Sequence, residues 1–246
     1  MTSMRSTLVA FALLAASALP AAAGDAPVLV ELFTSQGCSS CPQADALAGE
    51  LSARDDVVVL SFHVNYWDYI GWSDPFASEE TTGRQYAYAH ALGERNVYTP
   101  QMIIGGALPV VGNDKRAVLR AIRRAGRQSD NAPSIHFSRR GEDLLVELGA
   151  AEPPRDPANV LLVRYTDRHE TDVPLGQNAG RRLVNHHVVR DMKVVGQWDG
   201  RSSEIVLTGE SFAAGVPGRD GCALFLQAAD HGRIFAAVDF DPATVR

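Results

Sequence analysis

Two cysteines three positions apart, Cys38 and Cys41, constrain this chain more than any other feature. The apolar residues 28–33 precede the pair and predict a strand, and residues 42–51 after it predict a helix. At a strand-to-helix turn the two sulfurs can form a disulfide, and the N–H groups and dipole of the helix start stabilise a thiolate. The C-x-x-C spacing alone fits several chemistries, but its place between a strand and a helix favours redox chemistry.

Residues 1–23 predict a secretory signal peptide. Arg5 precedes an apolar run at residues 8–19, and small residues around Ala23 form a cleavage pattern. The run is shorter than the roughly 20 residues of a bilayer span, which favours cleavage over a membrane anchor. We therefore expect an exported protein, periplasmic or secreted after cleavage near Ala23, with no membrane span in the mature chain.

The charge balance bears on the partners. The chain has 23 basic and 29 acidic residues and a formal net charge of −6. A mildly acidic chain in which no basic stripe is evident is a poor candidate for nucleic-acid binding. Outside the cytosol a C-x-x-C pair can rest as a disulfide, and its turnover needs a redox donor or acceptor partner.

The first half of the chain, residues 24–128, alternates apolar runs with helical patterns in the order β-α-β-α-β-β-α. The predicted elements are strands at residues 28–33, 57–63, 101–104 and 107–111 and helices at 42–53, 75–92 and 115–127. The second helix belongs to an insertion near residues 73–93. The strand–helix–strand order predicts parallel pairing, and a hairpin turn at Gly105-Gly106 adds an antiparallel strand.

Beyond a linker at residues 129–133 the helical period disappears. Short strands separated by polar turns predict an all-β, sandwich-like domain over residues 134–246. Cys222 lies in one of these apolar runs and is predicted to be a small core residue rather than a redox group. This half shows no catalytic pattern, which favours a role in docking or stabilisation.

Residues 28–128 resemble a thioredoxin-like α/β domain. The resemblance is carried by the strand before Cys38-Ser-Ser-Cys41, by Thr99-Pro100 before the third predicted strand, and by the Gly105-Gly106 hairpin and closing helix. It implies that the bond before Pro100 is cis, that Pro100 packs against the cysteine pair, and that the Thr99 backbone binds a substrate peptide. It also implies a buried acid beneath the disulfide, for which Glu31 is the nearest counterpart.

Longer stretches are similar to secreted bacterial thioredoxin-like proteins of unknown function. They lie at residues 31–42, 62–69, 97–102 and 178–186, and they extend the likeness across most of the mature chain. This resemblance implies an architecture and an exported location but no particular substrate. The chain departs from thioredoxins at Gly37, where tryptophan is usual, and in its inner dipeptide Ser39-Ser40.

The residues favour a thiol–disulfide oxidoreductase that acts on a protein or a small thiol. Cys38 is expected to be the exposed nucleophile and Cys41 the buried resolving thiol, with exchange through a mixed disulfide at Cys38. Ser39 and Ser40 can donate hydrogen bonds to the Cys38 thiolate. No cofactor is expected beyond the redox-active disulfide itself.

Two alternatives make the chain a binding module rather than an enzyme. In one, the cysteines form a structural disulfide that never turns over. In the other, Cys38 and Cys41 bind Cu(I) together with His63 or Met102, since soft ligands suit that metal. The aromatic residues that follow the second predicted strand, among them Trp67, either grip a ligand or pack the insertion against the sheet.

Overall fold

The computed structural model describes residues 26–128, 131–212 and 221–246, so the predicted leader lies outside the described residues. The fold begins with strand β1 (Val28–Thr34), helix α1 (Pro42–Ser52) and strand β2 (Val57–His63). β1 and β2 pair in parallel, as the strand–helix–strand order predicts. This βαβ unit places the cysteine turn at the carboxyl end of β1.

Helix α1 is defined by its first residue and by its apolar stripe. Pro42 occupies the first turn, where its missing N–H costs no hydrogen bond, and Cys41 is the N-cap residue. Leu47, Ala48 and Leu51 recur at helical spacing and are buried against the sheet. The stripe therefore fixes the helix start, and the cysteine turn with it, against the end of β1.

The first half continues with a short 3-10 helix (Asp68–Ile70), α2 (Glu79–Leu92), β3 (Gln101–Ile104), β4 (Leu108–Val111) and α3 (Lys115–Gly126). α2 begins at Glu79 rather than at residue 75, because Ser78 caps it reciprocally with Thr81. β3 pairs antiparallel with β1, which corrects the expectation of parallel pairing there. β3 and β4 form the predicted hairpin.

The second half is almost entirely strands. They are β5 (Ile135–Arg140), β6 (Asp143–Leu148), β7 (Ala158–Val173), β8 (Arg181–Trp198), β9 (Ser203–Leu207), β10 (Gly221–Gln227) and β11 (Ile234–Phe240), with a one-turn helix α4 (Gly209–Phe212) before β10. β7 and β8 are much longer than predicted and form one antiparallel hairpin.

The prediction of a separate sandwich needs correction. Four strands of the second half continue the sheet of the first half in the order β11-β10-β7-β8-β2-β1-β3-β4, joined where Ser61 pairs with Val188. Only β5, β6 and β9 form a separate three-stranded antiparallel sheet. The molecule is thus a mixed α/β fold in which both halves share one eight-stranded sheet.

Three apolar clusters hold these layers together. On one face of β1, Val30 and Leu32 pack with α1 and α3. On the opposite face, Leu29 and Phe33 pack with Tyr88 of α2 and with β7, β8, β10 and β11. The third cluster fills the space between the two sheets and contains Cys222, which is buried as predicted. Because side chains alternate between the two faces of β1, successive residues pack against different elements.

Within the described ranges, none of the helices combines the length and the apolarity that a bilayer crossing requires.

Candidate active site

Cys38 and Cys41 are joined in a disulfide at the turn between β1 and α1. The backbone N–H of Cys38 donates to the Ser35 carbonyl at 3.1 Å, and that of Cys41 donates to the Cys38 carbonyl at 3.3 Å. The Ser40 hydroxyl lies 3.3 Å from the Cys38 sulfur and is the donor, because a disulfide sulfur carries no proton. These hydrogen bonds hold the turn in addition to the contacts that other segments make with it.

The expected exposure of Cys38 is wrong. Its exposed fraction is 1%, against 0% for Cys41, whereas Ser39 and Ser40 between them are exposed. Two segments outside the predicted motif enclose the turn. One is the hairpin tip, residues 174–180 between β7 and β8, and the other is the loop that carries Trp67.

The hairpin tip binds the backbone of the cysteine turn. The side-chain amide of Asn178 donates to the carbonyls of Gln36 and Cys38, at 2.8 and 3.0 Å. The Gln177 side chain accepts from the N–H of Ser39 at 3.2 Å. Three hydrogen bonds from the second half of the chain therefore lie directly on the residues that flank and separate the sulfurs.

Gln36 connects the turn to both halves of the molecule. Its side-chain amide donates to Thr171 and Asn185 of the long hairpin, at 2.9 and 3.0 Å. Its side-chain carbonyl accepts from the Trp72 indole at 3.1 Å. Gln36 is buried and fully bonded, so it fixes the hairpin relative to β1.

Trp67, Thr99 and Pro100 lie on the other side of the turn. The bond between Thr99 and Pro100 is cis, as the resemblance implies. The Trp67 indole donates to the Thr99 hydroxyl at 2.7 Å, and a Cβ added to Gly37 would lie 3.1 Å from the Trp67 Cβ. Trp67 therefore spans the gap between the cysteine turn and the residue predicted to bind a substrate backbone.

The other aromatic residues of this loop mainly pack. Trp72 bonds Gln36, and Phe76 lies edge-on to His63 with ring centroids 5.3 Å apart. Tyr69 differs, because 81% of its surface is exposed. Of the two interpretations offered by the sequence, packing of the insertion describes Trp72 and Phe76.

A buried acid, Asp45, lies in the first turn of α1. It follows Cys41 by one helical turn, and its N–H donates to the Cys41 carbonyl at 3.0 Å. Its carboxylate accepts from the Thr34 hydroxyl at 2.8 Å. Burial raises the pKa of the Asp45 carboxyl to about 7, although the nearby His63 partly opposes the shift.

His63 and Asp74 complete what we term the Asp45 cluster (Thr34, Asp45, His63, Asp74 and Asn185). The Nδ1 of His63 donates to the Asp74 carboxylate at 2.7 Å, and neither side chain is exposed. Burial lowers the pKa of His63, but the charge and hydrogen bond of Asp74 together with the charge of Asp45 outweigh it, so the pKa ends above its ordinary value. Burial raises the pKa of the Asp74 carboxyl, but His63 holds that pKa below its ordinary value.

One buried polar atom of this cluster, Nε2 of His63, lacks a hydrogen-bond partner among the described residues. An unmade hydrogen bond in the interior costs about 1–3 kcal/mol. The cluster is therefore charged, titratable near neutral pH and incompletely bonded.

Glu31 is not the acid beneath the disulfide, and that prediction is wrong. Its neighbours Val30 and Leu32 face α1, so alternation turns Glu31 to the opposite face of β1, toward α2. There its carboxylate accepts from Arg84 at 2.6 Å and from the Tyr88 hydroxyl. Gln227 of β10 bonds both Arg84 and Tyr88. We term these four residues the Glu31 cluster.

The residues of the Cu(I) alternative are only partly assembled. Met102 is buried in the apolar cluster beneath α1, and the Nδ1 of His63 is engaged with Asp74. In the part of the chain that the structure describes, no three His, Cys, Asp or Glu side chains are grouped to hold a metal ion. The Cu(I) site stays a prediction.

The sequence reasoning missed Asp45, Asp74, Gln36 and the contact of Asn178. A usable signal exists only for Asp45, which lies four residues after Cys41 on the same helix face as the buried Ala48. The contact of Asn178 with the cysteine turn requires the full length of β7 and β8.

Fold and site together define a mixed α/β protein with a buried C-x-x-C disulfide at a helix start. Residues 29–227 match a family model described as "Protein of unknown function (DUF1223)". The chain belongs to this family. No curated protein matches the chain.

Two solved structures are similar. A crystal structure of a protein from Agrobacterium tumefaciens is 33% identical, with a TM-score of 0.76, and the match covers 91% of this chain and 98% of that one. HBP35 of Porphyromonas gingivalis is 14% identical, with a TM-score of 0.60, over 90% of this chain and 77% of that one. The second likeness shows the fold alone.

Proposed function

We propose that this protein is an exported thiol–disulfide oxidoreductase with a thioredoxin-like core, working through Cys38 and Cys41. The observation that carries the proposal is the disulfide at the start of α1, with a buried carboxyl of pKa about 7 one turn away. A structural disulfide needs no acid of this kind beside it. The signal peptide predicted at residues 1–23 supports a periplasmic or secreted location.

The strand arrangement supports the thioredoxin-like core. The elements from β1 to α3 follow the predicted order, and their strands lie in the order β2-β1-β3-β4. α1 and α3 cover one face of these strands, and α2 lies on the other. Pro100 stands just before β3, beside the end of β1 where the cysteines lie.

The exchange reaction uses the disulfide as the electrophile. A substrate thiolate attacks the Cys38 sulfur, the bond between Cys38 and Cys41 breaks, and Cys41 leaves as a thiolate that takes up a proton. A second substrate thiolate attacks the mixed disulfide, so the substrate leaves as a disulfide and both cysteines are left as thiols. A redox partner with its own disulfide accepts these two electrons. The same steps in reverse reduce a substrate disulfide.

We assign the proton transfer to Asp45. A carboxyl with a pKa of about 7 is close to half protonated at neutral pH, which suits a general acid and base. In the forward direction it protonates the departing Cys41 thiolate, and in reverse it removes that proton. The charge of the His63–Asp74 pair sets how readily Asp45 gives its proton up.

Burial of both sulfurs means that exchange requires local opening. The three hydrogen bonds from the hairpin tip, through Asn178 and Gln177, are the contacts that opening must break. The same burial supports a second candidate, a structural disulfide that never exchanges. The two candidates differ in whether the disulfide turns over.

Turnover is measured with a fluorogenic disulfide peptide in glutathione buffer, using the chain from Gly24. We expect the wild type to accelerate exchange, Cys38→Ser to lose all acceleration, and Cys222→Ala to keep it. The Cys222 variant controls for the third thiol, which lies buried away from the turn. If the wild type and Cys38→Ser exchange at the same rate, the disulfide does not turn over, and the structural disulfide is the candidate that remains.

A further inference from the structure

Helix α3 carries a stripe of arginines that the proposed redox function does not use. Six of the 23 basic residues lie between positions 115 and 127, and none of the 29 acidic residues does. The expectation that the chain has no basic stripe is therefore wrong for this helix. The six residues are Lys115, Arg116, Arg120, Arg123, Arg124 and Arg127, and all are exposed.

Five of them share one face. At 3.6 residues per turn, Arg116, Arg120, Arg123, Arg124 and Arg127 fall within an arc of about 100°, along about 16 Å of helix. The opposite face, with Val118 and Ile122, is buried against the sheet. Lys115 points away from the stripe and pairs with Glu50 of α1.

Several arginines outside the stripe are neutralised by acidic neighbours. Arg54, Arg168, Arg182 and Arg201 each pair with a nearby carboxylate. Among the described residues, no ion pair involves any of the five stripe arginines. Like charges at these helical spacings repel one another, so the stripe is a concentrated field of one sign on an acidic protein.

The shape of the stripe favours a flat and mobile array of anions. A single exposed helix face has no walls to select a rigid ligand, and its apolar side is already used in the core. Guanidinium groups bind phosphate oxygens through two parallel hydrogen bonds. Basic segments of this size are attracted to anionic lipid surfaces.

The start of the described chain lies at one end of the stripe, where Ala26 lines a surface pocket together with Arg123 and Arg127. Export, as proposed above, exposes this stripe to the phospholipid surface of the membrane that the chain has crossed. We propose that the arginine stripe of α3 docks the protein on a bilayer of anionic phospholipid, without insertion.

Vesicle flotation tests this with the chain from Gly24, which contains every described residue. Vesicles of phosphatidylcholine with about one third phosphatidylglycerol are compared with phosphatidylcholine alone. The triple variant Arg116→Gln/Arg120→Gln/Arg124→Gln is compared with the control Arg54→Gln/Arg168→Gln/Arg201→Gln, which has the same net charge. We expect binding to the anionic vesicles only, lost near 0.3 M salt, and lowered about a hundredfold by the stripe variant but less than about threefold by the control.

Three results would overturn the proposal. They are equal binding to both kinds of vesicle, an equal loss in the two triple variants, and binding to poly-glutamate or duplex DNA in place of anionic vesicles. The last result would assign the stripe to an acidic polypeptide or a nucleic acid instead. Unchanged unfolding midpoints of the two variants ensure that binding is compared between folded proteins.

Discussion

The Glu31 cluster and the Asp45 cluster lie on opposite faces of β1 and differ in how their buried charged groups are hydrogen-bonded. Glu31 accepts from two donors, and Arg84 bonds its carboxylate while stacking with the rings of Phe62, Tyr88 and Phe225. In the Asp45 cluster, Nε2 of His63 has no hydrogen-bond partner among the described residues, and burial raises the Asp45 pKa to about 7. The Glu31 cluster supports the fold, and the Asp45 cluster is the one to which we assign proton transfer.

Both clusters also link the two halves of the chain. Gln227 of β10 closes the Glu31 cluster, and Gln36 ties the Asp45 cluster to β7 and β8. The site therefore depends on residues from both halves, although the cysteine motif lies in the first. If the second half were only an appended module, these hydrogen bonds between the two halves would not form.

Removal of Arg84 has the largest expected effect. Arg84→Met leaves the Glu31 carboxylate buried without its cation, which lowers the free energy of unfolding by about 3–5 kcal/mol. Urea denaturation measures the loss. Because the pair is on the far face of β1, exchange per folded molecule stays as in the wild type.

The double variant Glu31→Gln/Arg84→Met is the control for Arg84. It removes both charges and should regain most of the lost stability. A double variant as unstable as Arg84→Met would contradict an ionic role for this cluster. Loss of exchange in folded Arg84→Met would contradict the separation of the two clusters.

Asp45→Asn has the second effect, and its sign depends on pH. The pKa of Asp45 is about 7 in the folded chain and near 4 in the unfolded chain, so the folded state binds the extra proton. This group stabilises the fold below pH 4, and that contribution is lost as the pH rises through 7. Relative to the wild type, the variant should gain about 3 kcal/mol in unfolding free energy between pH 4 and pH 8.

Urea denaturation at a series of pH values measures this gain, and the pH profile of exchange provides a second readout. Asp45→Asn should exchange more slowly than the wild type and lose the inflection near pH 7. A stability difference that does not change with pH would show that Asp45 titrates in its ordinary range, and the proton-transfer role would fail.

Loosening of the hairpin tip has the smallest effect. Asn178→Ala removes two hydrogen bonds to the cysteine turn, each worth about 1 kcal/mol, so native-state reduction by a phosphine should quicken about thirtyfold. Asp172→Ala, which breaks an exposed ion pair on the same hairpin, is the control and should leave the rate unchanged. Equal rates in wild type and Asn178→Ala would show that the tip does not limit access.

The first half of the fold was predictable because its signals are local. The apolar runs of β1 and β2, the proline that opens α1 and the glycine that ends α2 each predict an element without knowledge of the rest. Pairing across the molecule was not predictable in this way. Residues 167–171 of β7 are mostly exposed and polar, so no alternation marks the part of the strand that carries the hairpin tip to Cys38.

The candidate site divides along the same line. The cysteine pair was predictable from its spacing between a strand and a helix, and Pro100 from the resemblance to thioredoxin-like domains. The burial of Cys38 was not, because Asn178 acts over 140 positions of sequence. The face of Glu31 was misassigned because a shift of one residue along a strand reverses the face.

Trapping of a mixed disulfide is the most direct test of thiol–disulfide exchange at Cys38. Cys41→Ser is expressed with its own leader, thiols are blocked at once, and adducts are resolved by non-reducing electrophoresis and mass spectrometry. We expect disulfide-linked partners on Cys38 in this variant and none in Cys38→Ser/Cys41→Ser. A Cys38 thiol that is shown to be reduced in the folded variant and yet forms no adduct would contradict this expectation.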